Sequence, residues 1–270
     1  MSAGAVAEAR RSAEACLFVA VWIGAGFALR LRPDAYLLLG VPLTVVFQLL
    51  VARRPLRAAW LRQGAELRLD GRWLALAAAL AFYPAWWAVH AFRLGLFAAA
   101  LWGVAAMVGG GAAAFAIRNR RPETGREAVR CLGTAGAIGA GFMILAALSG
   151  VSIAHHLFSG PVHGLRSLIL YFPACFVLEE VTFRGVLDAH VAPQGEGTWR
   201  SAALVSALWG IWHLPVLPSG TRLLPAVAAL LMVHVSIGVY LSFGWRRSGN
   251  LAVPALAHAA IDAIRNALLI

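Results

Sequence analysis

The amino-acid sequence predicts an all-α, polytopic transmembrane helix bundle with about eight or nine spans. Of its 270 residues, 61% are hydrophobic and 13% are charged, and the mean hydropathy is +0.76. A soluble domain is about half apolar and about a quarter charged, so this chain has too few charges to cover a water-facing surface. Its apolar runs are continuous and do not alternate, which favours spanning helices over a membrane barrel.

The apolar stretches predict about nine spanning helices, because a helical span needs about 20 apolar residues. The first stretch follows the charged residues Glu8, Arg10, Arg11 and Glu14. We interpret it as a signal-anchor helix, because no small-residue cleavage site follows it. The predicted spans centre near Val21, Val45, Phe82, Met107, Phe142, Val177, Leu208, Val233 and Ala259.

Arginines in the loops predict the orientation of the spans. All 23 basic residues are arginines, and many of them fall at 53–72, 118–130 and 246–247. If the spans alternate, these three loops lie on one side, which the positive-inside tendency assigns to the cytoplasm. The N-terminus is then cytoplasmic, although Arg30 and Arg32 fall on the opposite side. Because topology and anionic lipid explain the arginines, no nucleic-acid partner is predicted.

Two adjacent carboxylates, Glu179 and Glu180, lie inside the sixth predicted span. A charge at the bilayer centre costs at least about 2.5–3.5 kcal/mol, so such residues indicate function. Glu180 and Arg184 are four residues apart, share a helix face and can pair. Glu179 points about 100° away from Glu180 and has no local cation, which suits a general base. The spacing predicts a structural role for Glu180 with Arg184 and a chemical role for Glu179; a charged cluster that only fixes helix packing is the alternative.

In two further predicted spans a histidine shares a helix face with a second candidate side chain. In the seventh span, Trp209 and His213 share a helix face. In the ninth span, His258 and Asp262 share a face in the same way. Polar residues in three separate apolar helices indicate one polar site inside the bundle. We therefore expect Glu179, His213 and His258 to line a single cavity.

The chemistry of this site has two readings at the level of sequence. Ligation by Glu179, His213 and His258 suits a divalent metal such as zinc. A water held between Glu179 and His213 without a metal serves equally well. The sequence contains neither the HExxH motif of zinc proteases nor the GxGD motif of presenilin-like aspartyl proteases.

Several residues outside these motifs are predicted to be structural. The cysteines lie in apolar segments without CxxC spacing and are predicted to be inert packing residues: Cys16, Cys131 and Cys175. The stretch from Leu56 to Leu69 is amphipathic and is predicted to lie along the membrane surface. Asp188 is predicted to be interfacial, and His234 is predicted to be a packing contact, with a site role left open. Three histidines are predicted to be solvated in a short outer loop: His155, His156 and His163.

Three motifs, in this order along the chain, resemble those of the CPBP intramembrane proteases, the CAAX-processing and bacteriocin-processing enzymes also called the ABI family. They are the EExxxR run at Glu179 to Arg184, the aromatic-xxx-His run at Trp209 to His213 and the HxxxD run at His258 to Asp262. The resemblance covers about residues 165–270. It divides the chain into a protease core at 161–270 and N-terminal membrane helices of unassigned function at 1–160.

The resemblance implies hydrolysis of a peptide bond within or beside the membrane. Carried over by position, Glu179 and His213 activate the attacking water. His258 and Asp262 then stabilise the oxyanion. The position of Asp262 is often Asn in the family, and an ionised Asp can only accept hydrogen bonds. An oxyanion role for Asp262 therefore requires a protonated carboxyl or action through His258.

The resemblance also implies that Glu180 and Arg184 order the site. Members of the family are described both as glutamic proteases and as metalloproteases, so the cofactor is either none or a divalent metal such as zinc. The implied partners are a membrane-associated protein or peptide substrate and the lipid bilayer.

The sequence therefore favours a multi-pass intramembrane endopeptidase of a bacterial inner membrane. A proton-coupled transporter, with Glu179, Glu180 and Asp262 as a proton relay, is the first alternative. The absence of an evident inverted repeat argues against that alternative. A catalytically silent membrane scaffold is the second alternative, and the presence of Glu179, His213 and His258 argues against it.

Overall fold

The computed structural model of the chain describes residues 3–66, 68, 70–91, 93–148, 160–193 and 198–269. Within these residues the protein is built from helices, and the one β-contact is an isolated antiparallel bridge between Leu61 and Asn250. The prediction of an all-α polytopic bundle is confirmed. His155 and His156 lie outside the described residues.

Nine helices are present in the described part of the chain, and each predicted span centre falls in a different one. Two of them change to π-helical geometry before they end: α2 over Phe47–Val51 and α6 over Phe176–Asp188. Helix α6 then finishes with the turn Ala189–Val191. The α-helical parts of the nine helices are α1 Ala3–Ala28, α2 Pro33–Val46, α3 Gly71–Ala91, α4 Leu96–Arg118, α5 Pro122–Leu148, α6 Gly160–Cys175, α7 Trp199–Trp212, α8 Leu223–Ser248 and α9 Ala252–Leu269.

Among the described residues, six stretches are long and apolar enough to cross a membrane. They are Gly4–Ala28, Pro33–Val51, Gly71–Ala91, Leu96–Arg118, Val162–Val191 and Leu223–Ser248. Helix α7 is not among them because it has 14 residues. At 1.5 Å per residue it rises about 21 Å, which is less than the roughly 30 Å of a hydrocarbon core. Helices α5 and α9 also lie outside these six stretches, and each contains some side chains that the structure does not describe. The six stretches agree only roughly with the predicted number of spans.

The arginine-rich loops meet at one end of the bundle. The Arg62 amide donates a hydrogen bond of 2.9 Å to the Gly249 carbonyl, which joins the loop after α2 to the turn before α9. Arg247 at the end of α8 binds Glu127 near the start of α5 at 2.6 Å. The Asn250 side-chain amide donates to the Ala116 carbonyl of α4 at 2.8 Å. These contacts place the three predicted loops together, and their assignment to the cytoplasm stays a prediction.

Asp188, predicted to be interfacial, is fully buried at this same end of the bundle. Its two carboxylate oxygens accept hydrogen bonds of 2.6 and 3.0 Å from the Arg246 guanidinium. The Arg62 guanidinium lies 3.5 Å away. Burial of a carboxylate is costly unless it is paired, and these arginines supply the pairing. The contact fixes the end of α6 against the end of α8.

An aromatic cluster joins the first two helices to α7, which carries part of the candidate site. The Tyr36 hydroxyl donates to the Trp212 carbonyl at 2.8 Å, and the two rings lie 5.6 Å apart. The Trp22 indole donates to the Tyr36 carbonyl at 3.1 Å. Since these polar atoms are buried and satisfied, the cluster holds the C-terminal end of α7 in one place.

The stretch from Leu56 to Leu69, predicted to lie along the membrane surface, packs on the bundle at its start, and its place relative to the membrane stays a prediction. Only Leu56–Ala59 forms a short 3₁₀ turn, and Ala59 is buried. The backbone of Ala59 packs directly on Gly185 in the π-helical part of α6. A close backbone contact, available only where residue 185 has no Cβ, holds this loop onto the bundle. Leu67 and Leu69 lie outside the described residues.

Gly185→Ala is expected to destabilise the protein. The added Cβ would overlap the backbone carbonyl of Ala59, which cannot rotate away as a side chain can. Overpacking of this kind costs about 1–3 kcal/mol, and thermal unfolding in detergent measures it. Gly103→Ala in α4 is the matched control, because no described residue outside its own helix turn lies within 4 Å of the Cβ that it would gain. Equal unfolding temperatures for the two variants would contradict the close contact.

Candidate active site

The acidic pair lies in a wide-turn segment of α6. Residues Phe176–Asp188 are π-helical, whereas the angle of about 100° expected between Glu179 and Glu180 applies to an α-helix of 3.6 residues per turn. Segments of π-helix are rare and are frequently found at functional sites. Glu179 and Glu180 nevertheless point to different neighbours, as the spacing predicts. Glu179 contacts Trp209, and Glu180 contacts His258 and Arg184.

One cavity of about 380 Å³ brings the three sequence motifs together. Glu179 from α6, His213 at the end of α7 and His258 of α9 all line it, as expected from the sequence. Asp262 of α9 and His234 of α8 line the same cavity. The walls therefore combine two carboxylates and three imidazoles inside a helix bundle.

Trp209 fixes the orientation of Glu179. The indole Nε1–H donates a hydrogen bond of 2.7 Å to the Glu179 Oε2 atom. An indole N–H is a donor only, so it does not take a proton from the carboxyl group. The tryptophan of the second motif thus holds the glutamate of the first motif at the cavity wall.

His213 and His234 have similar hydrogen-bond arrangements. The Nδ1 atom of His213 lies 2.9 Å from the Trp209 carbonyl oxygen, and that of His234 lies 2.7 Å from the Leu230 carbonyl oxygen. A carbonyl oxygen only accepts, so Nδ1 carries the proton in each ring. In the neutral tautomer Nε2 is then a proton acceptor. The two ring centroids are 4.4 Å apart.

Glu180 is the centre of a buried charge cluster. Its Oε1 atom accepts a hydrogen bond of 2.9 Å from His258 Nδ1, and its Oε2 atom lies 3.5 Å from Arg184 Nε. Glu180 and Arg184 are both fully buried. The predicted pairing of Glu180 with Arg184 is therefore present. The contact with His258 was not predicted, because the two residues are 78 positions apart.

Arg184 is stabilised by charge and by an aromatic ring. Its guanidinium carbon lies 4.4 Å from the centre of the Trp209 ring, within range of a cation–π interaction. None of its three guanidinium nitrogens forms a hydrogen bond with a described residue. The buried positive charge therefore depends on Glu180 and on the face of Trp209.

Asp262 has three polar neighbours. Arg265 contacts its Oδ1 atom at 3.0 Å. The other oxygen, Oδ2, lies 3.6 Å from His258 Nε2 and 3.8 Å from the Cys175 thiol sulfur. His258 consequently has a carboxylate near each ring nitrogen. Cys175, predicted to be an inert packing residue, is buried and contacts this part of the site.

Among the described residues, one group of histidine, cysteine and carboxylate side chains has ligand atoms close enough to share a metal ion. This group is Cys175, His258 and Asp262, whose ligand atoms all lie within 4.8 Å of one another. The set predicted from the sequence was Glu179, His213 and His258, and the two sets share only His258. The predicted set stays a prediction.

His234, predicted to be a packing contact with a site role left open, lines the site. It lines the cavity, and its ring lies 4.4 Å from Trp209 and from His213. A signal was available, because His234 is an isolated imidazole inside an apolar span, as His213 is. His163, predicted to be solvated in an outer loop, lies in helix α6 instead, where its side chain is exposed; its solvation stays a prediction.

These features define a polytopic membrane protein with a carboxylate–histidine site in a cavity between its helices. Residues 161–264 match the family model described as type II CAAX prenyl endopeptidase Rce1-like. The match includes every predicted site residue, and it confirms the resemblance to the CPBP family of CAAX-processing proteases. No curated protein and no solved structure is significantly similar to the chain.

Proposed function

We propose that this protein is an intramembrane endopeptidase that hydrolyses a peptide bond of a membrane-associated protein or peptide. One observation carries the proposal: Glu179, His213 and His258 line a single cavity inside the segment that matches the protease family. The protein acts as a multi-pass protein of a bacterial inner membrane, with its N-terminus in the cytoplasm. Residues 161–270 form the protease core in this proposal.

Glu179 and His213 are the groups that activate the water. Trp209 holds one oxygen of Glu179, and the Trp209 carbonyl holds the His213 ring with Nε2 as its acceptor. A water in the cavity donates a proton to this pair while its oxygen attacks the carbonyl carbon of the substrate. The same pair returns the proton to the leaving amine when the C–N bond breaks. Neither step requires a further reactant.

His258 supplies the hydrogen bond to the developing oxyanion. Glu180 accepts from Nδ1–H, and with a second proton on Nε2 the ring donates into the cavity. A donor that is already in place before the reaction stabilises the charge that develops in the transition state. Glu180 and Arg184 act as positioning residues, because they hold His258 and Trp209.

The mapping of protein termini in intact cells tests the proposal. Cells with the wild type should contain new termini in membrane proteins that are absent from cells with Glu179→Ala. Glu66→Ala removes a carboxylate that is 75% exposed and serves as the matched control. It should reproduce the wild-type termini. Identical termini in cells with the wild type and with Glu179→Ala would contradict the proposal.

Asp262→Asn is expected to retain activity. Glu180, and not Asp262, bonds the Nδ1 atom of His258, so the substitution leaves the histidine tautomer in place. The Asn amide adds a donor for the oxyanion and keeps an acceptor for Arg265. The rate should equal or exceed that of the wild type, with a smaller loss on the alkaline side of the pH profile.

The contrary result for Asp262→Asn has a definite meaning. If Asp262 holds the tautomer of His258, the loss should approach the roughly 10⁴-fold effect known for an Asp-to-Asn change in a catalytic triad. A loss greater than about 100-fold, which is about 2.7 kcal/mol at the transition state, would overturn the donor role. Steady-state cleavage rates in detergent across a pH series measure the difference.

A further inference from the structure

We propose that Cys175, His258 and Asp262 form a zinc-binding site at the edge of the cavity. The three ligand atoms are the Cys175 sulfur, His258 Nε2 and Asp262 Oδ2. Binding of zinc here requires neither Glu179 nor His213, and it does not depend on whether the protein hydrolyses peptides.

Two of the three distances between the ligand atoms are close to those around a tetrahedral ion. Asp262 Oδ2 lies 3.6 Å from His258 Nε2 and 3.8 Å from the Cys175 sulfur. Zinc bonds of about 2.0–2.3 Å in a tetrahedron separate neighbouring ligand atoms by about 3.3–3.6 Å. The two measured separations therefore come within a few tenths of an ångström of those required. All three atoms lie within 4.8 Å of one another.

The ligand types and their setting also favour zinc. Sulfur, imidazole nitrogen and carboxylate oxygen are its usual protein ligands. All three residues are buried, and two of them, His258 and Asp262, also line the cavity. The cavity provides an entry path and room for a water as the fourth ligand. Three protein ligands with one open position are typical of the zinc sites of enzymes, whereas structural zinc sites have four protein ligands.

Two outer contacts already orient the ligands. Glu180 accepts from His258 Nδ1–H, which directs Nε2 toward the metal position. Arg265 binds the Oδ1 atom of Asp262 and leaves Oδ2 for the metal. A carboxylate–histidine–zinc arrangement of this kind fixes the ring and strengthens the ligand.

Charge balance supports a divalent ion at this position. On binding, the Cys175 thiol and His258 Nε2 each release a proton to solvent, and Nε2 then binds the ion through its lone pair. The thiolate and the Asp262 carboxylate then balance the two positive charges of zinc. When zinc is bound, His258 Nε2 can no longer donate a hydrogen bond to an oxyanion, so zinc should inhibit cleavage. This consequence alone rests on the proposed function.

Cobalt and zinc binding to the purified, tag-free protein in detergent tests the site. Co²⁺ should give a near-ultraviolet sulfur-to-cobalt charge-transfer band, and excess Zn²⁺ should remove that band. Cys175→Ala should abolish the band and weaken zinc binding by at least about 100-fold, since even outer contacts contribute 10–100-fold. Cys131→Ala is the matched control, because Cys131 is also 2% exposed and lies outside the group.

Two further variants keep the proposal falsifiable if Cys175→Ala does not fold. Asp262→Asn should keep the sulfur band and weaken zinc binding, and Glu179→Gln should leave zinc binding at the wild-type level. Cobalt binding without a sulfur band in the wild type would overturn the proposal. Zinc binding that survives Cys175→Ala and is lost in Glu179→Gln would also overturn it, in favour of the set predicted from the sequence.

Discussion

Glu180→Gln should unfold at a markedly lower temperature than the wild type. Glu180 is fully buried and carries the negative charge for Arg184 and for the hydrogen bond from His258. A glutamine oxygen can still accept from His258, but Arg184 then has no carboxylate within 4 Å among the described residues. Removing one partner of a buried pair costs about 3–5 kcal/mol in soluble proteins.

Thermal unfolding in detergent measures this loss, with Glu66→Gln at an exposed carboxylate as the control. The double variant Glu180→Gln with Arg184→Met removes both charges. It should recover part of the loss, because a buried pair can be replaced by apolar residues at little cost. A Glu180→Gln protein as stable as the wild type would show that Arg184 does not depend on Glu180.

Glu179→Gln is expected to leave a folded protein that does not cleave. The Gln side-chain oxygen keeps the hydrogen bond from Trp209 Nε1, so the packing around residue 179 is preserved. The amide cannot accept a proton from water, and the loss of a general base slows such reactions by about 10²–10⁴-fold.

Unfolding temperature and cleavage rate should be measured on the same preparation of Glu179→Gln. We expect an unfolding temperature close to that of the wild type and a rate lower by at least about 100-fold. If Glu179→Gln is instead less stable than Glu180→Gln, the roles assigned to the two carboxylates are reversed.

The helices and the local pairs were predictable because they depend on neighbours along the chain. Continuous apolar runs are required of segments that face lipid, so each predicted centre falls in a helix. The pair of Glu180 with Arg184 follows from a separation of four residues on one helix. The same spacing predicts the different roles of the two carboxylates, structural for Glu180 and chemical for Glu179.

The contacts that were not predicted join residues far apart in the sequence. Asp188 pairs with Arg246 across 58 positions, and Glu180 binds His258 across 78. Spacing identifies partners on the same helix, but it does not show which faces of different helices meet. For the same reason the sequence indicated no partner for Asp188, whose burial depends on Arg246; its predicted position at the membrane interface stays a prediction.

Two local features also lay beyond the sequence rules. The π-helical turns over Phe176–Asp188 have no residue pattern of their own, so a regular α-helix was assumed. The stretch after Leu56 has an amphipathic pattern, but its described residues form only the short 3₁₀ turn Leu56–Ala59, in which Ala59 packs on Gly185. Neither feature follows from the spacing of residues along the chain.

Cleavage in reconstituted vesicles tests the central claim most directly. The wild type should be incorporated with a labelled membrane peptide taken from the termini found in cells, and the products identified by mass spectrometry. We predict two fragments of complementary mass from the wild type and none above background from Glu179→Ala. An intact peptide with folded wild-type protein, together with a raised proton permeability of the vesicles, would contradict the account and favour a transporter.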